Sequence, residues 1–222
     1  MSRLDHLVTP ISPRAQREYQ RSIRRNLRSL FEPTWGFTIF RTAYTPESDT
    51  QFPLFLAKLD LYVKYSIDTD LNPDFPGSDS SFDPAPNEEM MRRFKNDVVE
   101  DHTLNGASVD EVRDAFAKWL RGKEVNLEIT YIYAPYRVCI MADEAVLNSV
   151  TARLEDLSQN TELDTVWVKM VEYSASGEEK WQGWLKVGLS ALYYFWFNVS
   201  GGDEVCDMFE SAVEEGSDVY TG

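Results

Sequence analysis

Hydrophobic and polar positions change period several times along this chain, and each change marks an element. From Ser12 to Phe31 the apolar residues Tyr19, Ile23, Leu27 and Leu30 recur at helical spacing, with Ser12 placed as N-cap and Pro13 at the first helical position. The run from Gly36 to Tyr44 alternates and is rich in β-branched and aromatic residues, which predicts a strand. A turn at 45–49 follows. Phe52, Phe55, Leu56, Leu59, Tyr62 and Val63 then predict a helix ending near Ser66. Residues 68–89 hold four prolines and five aspartates and read as a long loop. Arg93 to Val99 is strand-like. Ser108 and Glu111 form a capping box opening a helix with Val112, Phe116, Trp119 and Leu120 on one face, closed by Arg121-Gly122.

In the second half, Leu127 to Tyr133 and Tyr136 to Ala142 read as strand material interrupted by Ala134-Pro135. Asp143 caps a helix carrying Val146, Leu147, Val150 and Leu154. Thr165 to Tyr173 is a further strand, with a turn at 174–177, and the apolar run from Trp181 to Asn198 predicts one buried helix. The order predicts an α/β or α+β fold: a four- to five-stranded sheet with packed helices, preceded by an N-terminal basic amphipathic helix. The organisation is a basic helical arm at 1–32, one α/β domain at 33–200 with the long loop at 68–89, and an acidic tail at 201–222. That tail is either a short helix or disordered. Strand order is not legible.

Charge sharpens this picture. The chain of 222 residues has a net charge of −15, yet residues 1–28 carry seven arginines against Asp5 and Glu18 and are net +5, which leaves −20 for the rest. Arg14, Arg17, Arg21, Arg24, Arg25 and Arg28 share an arc of about 100° on the first helix. The planar guanidinium fork suits phosphate, so one reading is a polyanion, RNA in particular. The other is that the arm lies on the acidic body of its own chain or of a second subunit, and a homodimer is left open. A membrane surface suits the helix less, because its apolar face is narrow and contains a tyrosine.

Composition and motifs remove several classes. With 43% hydrophobic and 13% aromatic residues the chain folds and is not a disordered polyanion. It lacks an apolar leader, and its longest apolar run, Leu189 to Val199, is too short to span a bilayer. Cys139 and Cys206 lack metal-type spacing, and His6 and His102 are the only histidines, so no metal and no cofactor is expected. Glycine-rich phosphate loops, HExxH and GxSxG are missing. These features predict a cytoplasmic protein with no membrane partner.

Candidate chemistry gathers at strand ends, where open α/β sheets bind ligands. Arg41 and Tyr44 stand three apart, on opposite faces of a regular strand, so they share a pocket only if the strand ends or bulges near Thr42. A buried Arg41 needs a carboxylate, as a structural pair or as a substrate-binding group. Glu100, Asp101 and His102 adjoin at the end of another strand and offer acid–base capacity, with a solvated turn before Asn105-Gly106 as the plainer reading. Asp143 and Glu144 follow the strand that Tyr136 begins, where an N-cap and a helix-dipole role already account for the two acids.

The blocks from Trp35 to Tyr44, Asp97 to Asp101, Val112-Arg113 with Phe116 and Trp119, Tyr136-Arg137 through Asp143-Glu144, and Gly183 to Val187 resemble a widespread family of small fungal intracellular proteins. That group is similar to the fungal arginine-containing cyclodipeptide synthases. The likeness covers residues 35–195 and leaves out the arginine arm and the acidic tail. It implies a transferase of natural-product biosynthesis that joins aminoacyl groups from arginyl-tRNA and a second aminoacyl-tRNA. None of that family's catalytic residues is matched to a position here. On this reading the six arginines hold tRNA phosphates. Glu100, Asp101, His102 and Tyr44 are candidate catalytic residues, and Arg41, Tyr136, Asp143 and Glu144 candidate substrate-binding residues. The competing reading is a non-catalytic interaction protein whose arginine helix docks on an acidic partner or second subunit. An enzyme acting on a small cationic metabolite without RNA is a third.

Overall fold

Parallel strands need a crossover between them, and among the described residues this six-stranded sheet has three such connections, with helices on both faces. The computed structural model describes residues 13–30, 32–68, 83–125, 133–152, 165–173 and 181–222, with the side chains of 13–20 and 68 outside the description. Helix α1 (Pro13–Ser29) precedes β1 (Thr38–Arg41). Then come α2 (Pro46–Asp68), α3 (Ala85–Arg93) and β2 (Asp97–Glu100). A 3-10 turn (His102–Leu104) leads to α4 (Val109–Gly122), the single helical turn α5 (Ala134–Arg137), β3 (Val138–Ala142) and α6 (Glu144–Thr151). Strands β4 (Trp167–Glu172) and β5 (Trp184–Gly188) precede α7 (Leu192–Ser200), α8 (Val205–Glu214) and β6 (Val219–Tyr220).

The sheet order is β2-β1-β3-β4-β5-β6. Strands β2, β1 and β3 are mutually parallel, β4 is antiparallel to β3 and to β5, and β6 returns parallel to β5. Alternation along the strands builds two cores. Ile39, Val138 and Ile140 point to the larger one, shared with Phe52, Phe55, Leu59 and Val63 of α2, Val146 and Leu147 of α6 and Trp196 of α7. Phe40, Cys139 and Met141 point the other way, onto Val112, Phe116 and Leu120 of α4. The mixed α/β class is as expected, with one strand more than the range allowed.

Several element boundaries differ from the sequence pattern, each for a physical reason. The run 36–44 is a strand only over Thr38–Arg41. Its start is fixed by Gly36 at φ +152°, where a Cβ would meet the Lys95 carbonyl oxygen at 2.2 Å. Residues 85–89, expected as loop, begin a helix that runs to Arg93, because Pro84 and Pro86 stand at a helix start, where proline's missing N–H is harmless. The strand expected from Arg93 begins only at Asp97. Tyr136 and Arg137 lie in a helical turn before β3.

The apolar run from Trp181 is not one helix. Gly183 at φ +76° stands just before β5, in which Leu185 and Val187 are buried while Trp184 and Lys186 are half-buried; a 3-10 turn (Leu189–Ala191) follows, and α-helix begins at Leu192. The acidic segment holds α8, with Val205, Cys206, Met208 and Ala212 buried, and β6, which pairs Val219 with Lys186. Most of the expected 68–89 loop, the expected strand at 127–133 (apart from Tyr133) and the turn at 174–177 lie outside the described residues.

Helix α1 is fastened to this body by apolar contact. Ile23 is fully buried, Leu27 and Leu30 pack on the main core, and Asn26 donates to the Tyr193 hydroxyl at 3.1 Å. Tyr193 in turn meets Trp35 edge-on, just before β1, so α1 sits toward the amino ends of the parallel strands.

Candidate functional site

The parallel register gathers the strand-end residues. Arg41 lies opposite Glu100 on one side and Ala142 on the other, so β1, β2 and β3 end at one edge. The chain leaves β1 for α2 on one face and leaves β2 for α4 on the opposite face. Strands whose connections part in this way open a crevice between their carboxyl ends, the usual ligand position in such sheets. Arg41, Tyr44, Asp49, Glu100, Asp101 and His102 stand there.

Arg41 is the centre of this group. Its Nε donates to the Ala43 carbonyl at 2.9 Å, one terminal nitrogen meets Glu100 Oε2 at 2.9 Å, and the other reaches Asp49. Burial works against its charge, but the Glu100 and Asp49 carboxylates outweigh that and hold the guanidinium protonated. Because β1 stops at Arg41, the chain turns and brings Tyr44 back beneath it, with the guanidinium carbon 4.5 Å from the ring centre. Phe52 offers a second face at 4.8 Å.

Tyr44 also stacks on His102, ring centres 4.1 Å apart. The turn after β2 is clasped over this edge: the Tyr44 amide donates to Asn105 Oδ1 at 3.1 Å and the Gly106 amide to the Thr42 carbonyl at 2.8 Å. Beneath the clasp the Thr42 and Tyr44 hydroxyls are buried; Thr42 has no hydrogen-bond partner among the described residues, and the Tyr44 oxygen meets only the Asp101 backbone. Burial raises the Tyr44 phenol, with partial relief from the Asp101 backbone, so it stays neutral and able to donate. A buried hydroxyl without a partner, such as that of Thr42, is unusual inside a fold and marks this edge out.

The remaining candidates divide. Asp101 accepts from the Thr103 amide at 2.9 Å and hydroxyl at 2.8 Å, which holds its carboxyl below the usual range. Asp143 caps α6 through the Val146 amide at 2.9 Å and pairs with Lys169, while Glu144 is exposed in the first turn. Tyr136 is at the other end of β3, where its hydroxyl donates to Glu32 at 2.8 Å beside a recess of about 310 Å³ lined also by Trp35, Lys95 and Trp119. It therefore does not share a pocket with Asp143 and Glu144.

Sequence reasoning passed over a second buried charge network. Arg137 Nε meets Glu172 Oε1 at 2.6 Å with both side chains under a tenth exposed, and Trp181 Nε1 donates to Glu172 Oε2 at 2.9 Å. Glu204 completes the Arg137 fork. A signal for it lies in the sequence: Arg137 opens an apolar run and Arg41 closes one, and a buried arginine at either place needs a carboxylate.

The arginine helix shows the clearest polarity. Arg21, Arg24, Arg25 and Arg28 are exposed on the side away from Ile23 and Leu27. Arg24 pairs with Asp83 at 2.9 Å, whereas Arg21, Arg25 and Arg28 form no ion pair among the described residues. The backbone of Arg14 and Arg17 continues the helix, and their side chains lie outside the description. Among the described residues no three His, Cys, Asp or Glu side chains come together as a metal site, and no helix is long and apolar enough to cross a membrane. No family model matches the chain, and no match was found among curated proteins or solved structures.

Proposed function

We propose that the protein binds the phosphate backbone of a folded RNA of tRNA size through α1. The orientation of that helix carries the reading. An arm whose purpose was to neutralise the acidic body would turn its arginines inward. Here apolar Ile23, Leu27 and Leu30 face the body and Arg21, Arg25 and Arg28 face solvent without carboxylate partners among the described residues. Arginine on one helix face suits phosphate, and a strongly acidic remainder repels the same polyanion elsewhere and confines contact to that face. Binding of transfer RNA by the wild type, weakened at least about tenfold by joint Arg21→Glu, Arg25→Glu and Arg28→Glu substitution, is the expected result. Equal binding by the two proteins refutes the proposal.

A second reading, aminoacyl transfer to form an arginine-containing cyclic dipeptide, is favoured by the Tyr44–His102 pair at the crevice. An amine attacking an RNA-borne aminoacyl ester gives up a proton, and in this reading His102, stacked on Tyr44, takes it. The Tyr44 phenol, buried beneath the turn that follows β2, donates to the carbonyl oxygen once that turn opens; His102 passes its proton to the departing ribose oxygen as the ester C–O bond breaks, and the same exchange at the second ester closes the ring. Asp49, Glu100 and Asp101 outnumber Arg41 and favour a cationic side chain nearby. The crevice and α1 lie at opposite ends of strands that span about 15 Å, a gap that an RNA of this size bridges. Mass spectrometry of an expressing host tests this separately. The expected product is a cyclic dipeptide containing arginine, lost in Tyr44→Phe and His102→Ala. Its absence from the wild-type host removes the transferase reading and leaves RNA binding standing.

A further inference from the structure

Two exposed rows of helical side chains form no ion pairs among the described residues, and their charges are opposite. On α1 the exposed Arg21, Arg25 and Arg28 are separated by four residues and then three. On α8 the exposed Glu214, Glu210 and Asp207, read backwards, show the same intervals. Neither Glu210 nor Glu214 forms an ion pair among the described residues, and Asp207 meets only the neighbouring Cys206 thiol. We propose that α1 of one copy docks antiparallel along α8 of a second copy of this chain, with Arg21 facing Glu214, Arg25 facing Glu210 and Arg28 facing Asp207.

The surface beside the acid row suits this occupant. A recess of about 330 Å³ runs between α8 and Trp181, floored by Cys206 and Phe209 and edged by Val213, which is 52% exposed. Arginine buries its methylene stem on apolar surface while its head group stays with charge, so the recess and the acid row together accommodate an arginine face better than a lone cation. Within one copy the two helices are each fixed to the body, α1 by Ile23 and α8 by Val205, Met208 and Ala212, so the pairing runs between copies. Its two halves come from different surfaces, which makes the contact heterologous and open to ring or chain formation. The contact does not rest on the RNA reading, but it uses the same arginines, so RNA and a second copy exclude one another on α1.

Sedimentation of nuclease-treated protein in about 0.02 M and about 0.5 M salt tests the contact, since exposed charge pairs are screened at the higher value. The expected result is concentration-dependent association at low salt that disappears at high salt. Joint Arg21→Glu, Arg25→Glu and Arg28→Glu should abolish it, as should joint Asp207→Arg, Glu210→Arg and Glu214→Arg, and an equimolar mixture of the two variants should regain it. The α8 variant should still bind transfer RNA, which separates failure of this contact from failure of RNA binding. If a triple variant does not fold, the pair Arg25→Glu and Glu210→Arg serves for the mixing test. A wild type that stays monomeric at low salt, association that nuclease removes, or variants that do not associate when mixed would each overturn the proposal.

Discussion

Arg41 and Arg137 are both buried arginines at the margin of a strand, and they illustrate how partner exposure decides what an ion pair is worth. The partners of Arg41, Glu100 and Asp49, are about half exposed, so they return to water at little cost when the arginine is removed. Glu172 is buried with Arg137, and removing the arginine strands a carboxylate in the interior. Arg137→Met should therefore cost about 3–5 kcal/mol in chemical denaturation, and Glu172→Gln clearly less, since Glu204 still holds the arginine. Equal losses would contradict this ranking. Tyr136 supplies a pH test. Burial and the Glu32 carboxylate push its phenol up to about 12, so the folded state holds that proton more tightly than the unfolded chain. A raised value means that the stabilisation is complete below the ordinary phenol range near 10 and is lost as pH climbs toward about 12. Tyr136→Phe should flatten the alkaline decline of the thermal midpoint over that interval, and an unchanged decline would contradict it.

Among the elements, α4 was readable in full because its signals are local: the Ser108–Glu111 capping box, the apolar face and the closing Arg121-Gly122 all act within one helix. Ser108→Ala should cost about 1 kcal/mol. Strand β5 was not readable, because a short apolar run has no period that distinguishes strand from buried helix; its pairing with β4 decided the matter. Helix α3 was hidden by prolines that read as loop but stand at a helix start. The start of β1 depends on Gly36, whose carbonyl accepts from Trp196 Nε1 at 2.8 Å. Gly36→Ala forces a Cβ against the Lys95 carbonyl and should destabilise the fold by on the order of 2 kcal/mol or more, measured by thermal unfolding.

For the whole molecule, the individual strand ends were visible in the sequence but their meeting was not. Arg41 and Glu100 come together because β1 and β2 are parallel and in register, a relation across 59 residues that neither segment contains. The same topology separates Tyr136 from Asp143 and sets α1 at the end of the sheet away from the crevice. The charge division, by contrast, was plain from the residues, and the fold adds its direction: apolar side in, arginine side out. The most direct test of that claim is the salt dependence of transfer-RNA binding. Wild type and a variant carrying Arg21→Gln, Arg25→Gln and Arg28→Gln should differ by about 2–3 in the slope of log K against log salt, the variant being the shallower. Identical slopes would mean that these arginines do not touch phosphate, and the central claim would fail.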